Sequence, residues 1–253
     1  MFKHMHFFIL LMILTPGLVY SQLSVKDSAI FTPLIFGTYS YQWPGGDLAQ
    51  IFGSNSSIGG GLIFKTKSNW LVGAEGNWLF GGTVKISDVL LSNIVSHEGY
   101  VIDPNGFFAD IYYYERGFSF YAKFGKLFPV LTPNPNSGIT LMAGVGFMQD
   151  RIRIHSAQND LPQITGDYEK GYDRLNSGPA VTASLGYLYL GSTRLLNCYI
   201  GFEFIQASTK SKRDMDFDAG LKNNMNYNSQ FYSAKFIWFI PLYKRKPQAY
   251  YVY

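Results

Sequence analysis

The stretch Asn69–Gly82, NWLVGAEGNWLFGG, places two of the chain's four tryptophans eight residues apart. In an extended strand, alternate side chains share a face. One face would then carry Trp70, Val72, Ala74, Gly76, Trp78 and Phe80, and the other Leu71, Gly73, Glu75, Asn77 and Leu79. At roughly 3.4 Å per residue and a tilt near 40°, the two indoles would be separated by about 20 Å in depth. This depth matches the apolar band of a membrane barrel, so the stretch predicts a transmembrane strand.

The composition suits a chain with a large buried or lipid-facing surface. Of its 253 residues, 17% are aromatic and 15% are charged, and 26 are glycines. The net charge is +4, but the basic residues are scattered, so the sequence predicts no nucleic-acid partner. Cys198 is the single cysteine, which excludes both an internal disulfide framework and a lipid-modified cysteine at a cleavage site.

The N-terminal residues have the pattern of a secretory signal peptide. Lys3 precedes an apolar run over Phe7–Leu14, which is followed by Pro16-Gly17 and a plausible cleavage site. The sequence therefore predicts a signal peptide over 1–21 and a single barrel domain over 22–253. A retained membrane anchor is the alternative, but the apolar run is shorter than the ~20 residues that a spanning helix needs.

The alternation of the opening stretch recurs in several later segments. Large apolar residues lie on one face, and small, polar or charged residues lie on the other, at 138–150, 179–190, 195–207 and 229–242. A water-soluble β-sandwich can show the same alternation. The aromatic residues at the segment ends and the signal peptide favour a membrane barrel.

A first count of candidate strands gives nine, which conflicts with the even strand number of bacterial single-chain barrels. Treating 109–127 as one long strand, bulged at Gly117, removes the conflict. The eight predicted strands are then 29–42, 57–66, 70–80, 109–127, 138–150, 179–190, 195–207 and 229–242. The sequence thus predicts an all-β fold, an eight-stranded antiparallel transmembrane up-and-down β-barrel. Its long extracellular loops would be 43–56, 81–108, 151–178 and 208–228.

An eight-stranded barrel encloses only enough space for side chains. The strand register predicts a polar network in the lumen, formed by Glu75, Asn77, Tyr121, Lys123, Tyr199, Glu203 and Lys235. Because an isolated buried charge is costly, the acids and bases are expected to pair. A gated ion path is the alternative. An aromatic girdle is predicted at Trp70, Trp78, Tyr187, Tyr189 and Trp238.

The predicted loops are too long to be simple connectors. The segment GDYEKGYDRL (166–175) combines aromatic and basic residues, as protein interfaces do, and it predicts a partner-binding loop with Tyr168, Tyr172 and Arg174. A folded crown that only protects the barrel rim is the alternative. Apolar spacing over 86–95 predicts a short lid helix, and PGGDLAQIF (44–52) predicts another helix near Asp47.

Catalytic, cofactor and metal sites are not predicted. His155 and Ser156 are adjacent, but neighbours on a strand point to opposite faces, so their adjacency does not indicate a nucleophile and its base. Asp214, Asp216 and Asp218 have the spacing of a calcium loop. The closing glutamate is absent, however, and the adjacent basic residues would repel a cation, so a solvated acidic loop is preferred.

Seven segments of the chain carry a family resemblance. They are PGGDLAQIFG (44–53), KTKSNWLVGAEGNWLFG (65–81), ERGFSFYAKFGKLFP (115–129), PNPNSGI (133–139), GDYEKGYDRL (166–175), GFEFIQ (201–206) and WFIPLY (238–243). Together they resemble a family of small outer-membrane proteins of Bacteroidota, and the resemblance covers nearly the whole mature chain. It implies a barrel surrounded by outer-membrane lipid, a protein partner, and an accessory role in the type IX protein-secretion translocon. It implies no catalytic residues.

The function predicted from the sequence is therefore non-enzymatic. The barrel would serve as a subunit or docking element of an envelope complex, with type IX protein secretion as the process that the resemblance implies. The alternatives are a standalone structural barrel or narrow channel of the outer membrane and, less favoured, a lipid-modifying outer-membrane enzyme.

Overall fold

The computed structural model describes residues 28–156, 161–191, 196–217, 220 and 225–242. Eight antiparallel strands close into a barrel in which each strand pairs with its neighbours in the chain and the first pairs with the last. The strands are β1 (Thr32–Gly46), β2 (Asn55–Lys65), β3 (Trp70–Gly81), β4 (Ile111–Phe128), β5 (Gly138–Ser156), β6 (Asn176–Leu190), β7 (Asn197–Ser211) and β8 (Asn226–Pro241). The predicted fold is confirmed. The predicted signal peptide lies outside the described residues.

The connections differ in length at the two ends of the barrel. Short connections at 66–69, 129–137 and 191–196 define the turn end, where the described chain also begins and ends. The loop end carries the long connections at 82–110, 157–175 and 212–225, as predicted, and an eight-residue connection at 47–54. They carry two helices of one turn each, α1 (Leu48–Ile51) and α2 (Ser87–Leu90), and two 3₁₀ turns, Pro162–Ile164 and Tyr168–Gly171. Among the described residues, no helix has the length and apolar character needed to cross a membrane.

Several strands extend further toward the loop end than the sequence predicted. β1 continues to Gly46, β5 to Ser156 and β7 to Ser211, each four or more residues past the predicted end. On β5 and β7 the outward side chains change there from apolar to polar, as at Arg151 and Arg153 on β5, whereas β1 still presents Trp43 outward. On β5 and β7 the predicted strands stopped where the apolar alternation stopped, whereas the backbone pairing continues beyond it.

The prediction of a bulge at Gly117 was wrong. Leu79 of β3 pairs with Gly117, and Gly117 pairs with Asp150 of β5, in an uninterrupted register. A Cβ at this position would lie 2.3 Å from the Gln149 carbonyl oxygen, so the glycine permits close approach of the strands instead of marking an extra residue.

Inward side chains form apolar layers on both sides of a polar middle. Near the turn end, a buried apolar cluster includes Leu34, Ile63, Leu71, Leu127, Met142 and Phe239. Toward the loop end, a second cluster joins strand residues to loop residues and includes Leu79, Met148, Ile205, Phe231, Leu90 and Phe52. The loops therefore pack into the mouth of the barrel.

The turn end is closed by the 129–137 connection. The Asn136 side-chain oxygen accepts hydrogen bonds from the Ile30 backbone N–H at 2.9 Å and from Lys65 Nζ at 2.8 Å. Asn136 and Lys65 are both fully buried. This contact ties the start of the described chain, the end of β2 and the β4–β5 connection together beneath the lumen.

The outer wall between the two ends is apolar and exposed. Large outward side chains include Ile35, Ile58, Val72, Phe120, Val145, Phe202 and Phe236. A contiguous apolar surface of this extent is a membrane-contacting surface, and closure of the sheet satisfies the backbone groups that hydrocarbon cannot. The barrel is therefore transmembrane.

Gly146 provides a test of the strand packing. A Cβ there would lie 1.9 Å from the Phe120 carbonyl oxygen and 2.8 Å from Tyr121 Cα, so β4 and β5 would have to separate. We expect Gly146→Ala to lower the free energy of unfolding by about 1–3 kcal/mol, the usual cost of overpacking. Urea unfolding in lipid vesicles measures this change. Gly37→Ala is the matched control, since its nearest atom is 3.9 Å away. An equal loss in both variants would contradict the packing argument.

Candidate functional site

Four charged side chains meet inside the barrel. Lys123 Nζ lies 2.7 Å from Glu75 Oε2 and 2.5 Å from Glu203 Oε1. Lys235 Nζ lies 2.9 Å from Glu203 Oε2 and also contacts Glu75 Oε1. Each lysine thus contacts both acids, and the four side chains, all nearly inaccessible to solvent, form a closed ring of ion pairs. We call this group the lumen ring.

Small neighbours give the lysines room to cross the lumen. Lys123 of β4 is paired with Gly73 on β3 and Gly144 on β5, and Lys235 of β8 is paired with Gly201 on β7. These glycines place no side chain beside the lysine stems. The lysines can therefore extend inward to acids that belong to other strands.

The other predicted lumen residues lie around the ring. Asn77 Nδ2 donates to Glu75 Oε1 at 2.8 Å. Tyr121 belongs to the apolar cluster toward the loop end, and Tyr199 belongs to the cluster near the turn end. The structure thus brings Glu75, Lys123, Glu203, Lys235 and Asn77 into direct contact and places the two tyrosines above and below them.

The charges of the lumen ring cancel. Two carboxylates and two ammonium groups bond one another in a space bounded by apolar layers on both sides. Removing one member would leave a buried charge without its partner, which costs more than the net gain from the pair. The arrangement therefore fills and rigidifies the lumen, and it offers no exposed acid, base or nucleophile.

Two further buried acids lie inside the barrel closer to the loop end. Both carboxylate oxygens of Glu115 lie 2.8 Å from Asn55 Nδ2, and Asp150 Oδ2 lies 3.5 Å from Asn176 Nδ2. The sequence analysis missed this group. Strand parity could have predicted Glu115, because it lies on the same inward face of β4 as Lys123.

The predicted girdle residues all face outward. Those near the turn end are Trp70, Tyr187, Tyr189 and Trp238, and Trp78 lies toward the loop end. Trp43 also faces outward near the loop end, with its ring centroid 5.1 Å from that of Tyr41. The sequence analysis missed Trp43 because the predicted first strand stopped at residue 42.

The predicted partner-binding loop is only partly exposed. Tyr168 is 61% exposed, whereas Tyr172 is 3% exposed. Tyr172 packs edge-on against Phe217, with ring centroids 5.4 Å apart, and its hydroxyl lies 3.3 Å from Asn93 Oδ1. The Tyr172 ring joins three loops to one another instead of lying at the surface, and the partner-binding role of this loop stays a prediction. Arg174 has a left-handed backbone, with φ of 43°.

An ion pair fixes the same loop to the β7–β8 connection. Arg213 Nε lies 2.7 Å from Asp173 Oδ1, and Arg213 Nη2 contacts the other carboxylate oxygen. The hydrogen bond to Asp173 raises the pKa of the Arg213 guanidinium. Together with Tyr172, this pair makes the loops a folded unit, which we call the loop crown (the described residues of 47–54, 82–110, 161–175 and 212–225).

The predicted helices of the loop crown are shorter than expected. The lid segment 86–95 contains α2 followed by turns, and Leu90 and Leu91 are buried in the cluster toward the loop end. α1 follows Asp47, as predicted. The Asp47 carboxylate accepts a hydrogen bond from the Asn228 backbone N–H at 2.8 Å and does not cap the helix.

A small hairpin within the loop crown presents exposed aromatic side chains. Ile102 pairs with Phe108, and the Asp103 carboxylate accepts hydrogen bonds from the backbone N–H groups of Asn105 and Phe107 at 2.9 and 2.8 Å. Tyr100 and Phe108 have ring centroids 4.7 Å apart, and Phe107 is 70% exposed. We call residues 100–108 the aromatic hairpin. The sequence analysis missed it, although Asp103-Pro-Asn-Gly106 is a strong turn signal.

The residues considered for catalysis and metal binding are separated. His155 faces outward from β5, opposite Tyr112, and Ser156 follows it on the other face. Within the described ranges, no three His, Cys, Asp or Glu side chains are grouped to hold a metal ion. Asp216 is buried, and Asp218 lies outside the described residues.

Lys235→Met tests the lumen ring. The substitution leaves two carboxylates sharing one ammonium group, so we expect the free energy of unfolding to fall by about 3–5 kcal/mol, as for other broken buried pairs. Adding Glu75→Gln to the same chain removes one unpaired charge and should recover part of the loss. Urea unfolding in lipid vesicles of the unmodified chain, both single variants and the double variant gives the coupling free energy between Lys235 and Glu75. Strict additivity would contradict a direct interaction.

Comparisons with known proteins gave matches of structure alone. No protein-family model matches the chain, and no curated protein matches it. Among solved structures, it is similar to Ail, the attachment invasion locus protein of Yersinia pestis, with a TM-score of 0.42 and 10% identity over 83% of this chain and 99% of that chain. It is also similar to Neisserial surface protein A, with a TM-score of 0.38 and 10% identity over 82% of this chain and 96% of that chain. A third similar structure is OprG of Pseudomonas aeruginosa, with a TM-score of 0.36 and 12% identity over 85% of this chain and 99% of that chain. The fold assignment rests on the strand pairing of this chain.

Proposed function

We propose that this chain is a non-enzymatic barrel of the outer membrane, closed to ions, whose loop crown docks onto a protein partner in an envelope complex. The membrane location is supported by the apolar outer wall and the closed sheet. The closed lumen is supported by the lumen ring and the apolar layers on both sides of it. The docking role is carried by a single observation, the exposed aromatic hairpin.

The aromatic hairpin has the properties of a binding surface. Tyr100, Ile102, Phe107 and Phe108 are between 43% and 70% exposed, although they are apolar or aromatic. Exposed apolar residues grouped in this way are typical of interaction sites. Aromatic anchors contribute much of the binding energy of protein interfaces. The Asp103 hydrogen bonds hold the hairpin in shape, so little conformational entropy is lost when it binds.

The position of the hairpin favours a protein partner. It lies in the β3–β4 connection at the loop end, beyond the strand residues that contact lipid. The matching partner surface is an apolar depression on another envelope protein. The type IX translocon, which the sequence resemblance implies, is one such complex and stays a prediction, to be tested by measuring cargo secretion in a strain that lacks the chain.

A photo-crosslinking amino acid at Phe107 tests docking. We expect it to trap a discrete partner in intact cells, visible as one heavier band and identifiable by mass spectrometry. The matched control places the same amino acid at Val89, which is 58% exposed but lies in α2, outside the hairpin. A standalone barrel would give no heavier band at either site. Equal trapping at both sites would show that the hairpin is not the contact.

Planar-bilayer recording tests the closed lumen. We expect the purified chain to give no steady conductance steps after insertion, because the charges of the lumen ring are mutually bonded and the layers beside it are apolar. Protection of the barrel from added protease verifies insertion, and an open porin in the same bilayer verifies the recording. Reproducible ohmic steps from the inserted chain would instead support the narrow-channel alternative.

A further inference from the structure

Three arginines face outward on adjacent strands at the loop end. Arg116 of β4 is directly opposite Arg151 of β5, and the next outward pair joins Tyr114 to Arg153. Arg153 is exposed and the other two are half-buried. His155 follows on the same face of β5, opposite Tyr112. We call Arg116, Arg151 and Arg153 the arginine patch.

The positive charge of the patch is only weakly balanced by the protein. Arg151 Nη1 lies 4.0 Å from Asp173 Oδ2, but that carboxylate already accepts two hydrogen bonds from Arg213. Arg116 donates to the carbonyl oxygen of Glu115 at 2.7 Å, and its guanidinium lies 4.8 Å from the Tyr114 ring centroid. Across the described part of the chain, no carboxylate is within ion-pair distance of Arg116 or Arg153.

Nearby acids face away from the patch. Glu115 and Asp150 are the chain neighbours of Arg116 and Arg151, but both side chains point into the barrel, where they bond Asn55 and Asn176. Like charges directly opposite each other on paired strands are destabilising. The opposed arginines therefore leave a positive site on the outer surface that an external anion would stabilise.

The depth of the patch identifies the kind of anion. The next outward pair toward the turn end is Phe118 of β4 and Gln149 of β5, and the pair after it is Phe120 and Phe147. The ring centroids of Phe118 and Phe147 are 6.2 Å apart. One outward step along a strand is about 7 Å, so the apolar wall begins with Phe118 about 7 Å below the arginines, and Phe120 and Phe147 continue it about 14 Å below them. The arginines therefore lie at headgroup depth. A ligand that matches arginines above an apolar wall has an anionic group above its acyl chains.

We infer that the arginine patch binds the phosphate groups of an anionic glycolipid whose acyl chains lie against β4 and β5. Guanidinium groups bind phosphate through paired, charge-assisted hydrogen bonds. The phosphate relieves the repulsion between Arg116 and Arg151, and Phe118 and Phe147 contact the upper part of the chains. A soluble anion would match the charge of the patch but would make no contact with the apolar wall below it. The inference rests on the outer-membrane location proposed above and is independent of the aromatic hairpin.

Binding of bisphosphorylated lipid A to the purified full chain in uncharged detergent tests the inference. Native mass spectrometry measures the bound fraction across a lipid titration. We expect the double variant Arg116→Gln, Arg151→Gln to bind about tenfold more weakly, which corresponds to the loss of roughly one charge-assisted hydrogen bond. Lys210→Gln is the matched control, because Lys210 is also exposed and outward at the loop end but lies on β7. It should bind as the unmodified chain does.

Two further measurements distinguish a lipid phosphate from a soluble phosphate as the bound anion. Lipid A without phosphates should bind as weakly to the unmodified chain as phosphorylated lipid binds to the double variant. Inorganic phosphate at equal concentration should not displace the lipid, and efficient displacement would overturn the lipid assignment in favour of a soluble anion. Equal binding by the double variant and by Lys210→Gln would overturn the patch itself.

Folding of the variants is checked independently. Folded barrels migrate differently from heated ones on gels, and the double variant should retain that difference because it removes a repulsion. If it does not fold, Arg153→Gln, whose side chain is exposed, replaces it with the same expected direction. Failure of lipid binding leaves crosslinking at Phe107 unaffected, so the docking proposal and this inference can fail separately.

Discussion

The pairing of the first strand with the last is the interaction on which the rest of the structure depends. Hydrocarbon offers no hydrogen-bond partners, so every backbone group at membrane depth must be satisfied by a neighbouring strand. The pairing of β1 with β8 removes the two free edges that an open sheet would have. Once the sheet is closed, each strand has one face toward lipid and one toward the interior, and the alternation of the sequence follows from that division.

Closure with eight strands also determines what the interior can contain. The space holds side chains and little else, so charged inward residues must find partners inside the barrel. The lumen ring satisfies this condition with two acids and two bases from four strands. Because the interior is filled, contacts with other molecules are made by the outer wall, the rim and the loop crown.

Strand parity made most of the barrel predictable. Glu75, Lys123, Glu203 and Lys235 could be placed in one interior from the sequence because each lies on the face opposite large apolar residues. Their mutual distances could not be predicted, since these depend on the stagger between strands. Strand ends were less predictable for a different reason, because pairing continues beyond the membrane, where residues such as Arg151 and Arg153 carry no apolar signal.

The loop crown was the least predictable part. The composition of 166–175 predicted a partner-binding loop, and within it Tyr172 is buried against Phe217 from another connection. Long-range packing of this kind leaves no local periodicity. The aromatic hairpin, by contrast, had a local signal in its turn residues, but exposure of Phe107 could be established only once the neighbouring loops were in place.

The composition of the lumen ring bears on the order in which the chain can assemble. Glu75, Lys123 and Glu203 belong to β3, β4 and β7, and only Lys235 comes from β8. A sheet that lacks its final strand would therefore hold two carboxylates around one ammonium group, with an excess negative charge facing the unfinished seam. One strand, β8, thus supplies both the charge that balances the lumen ring and the backbone pairing that closes the barrel.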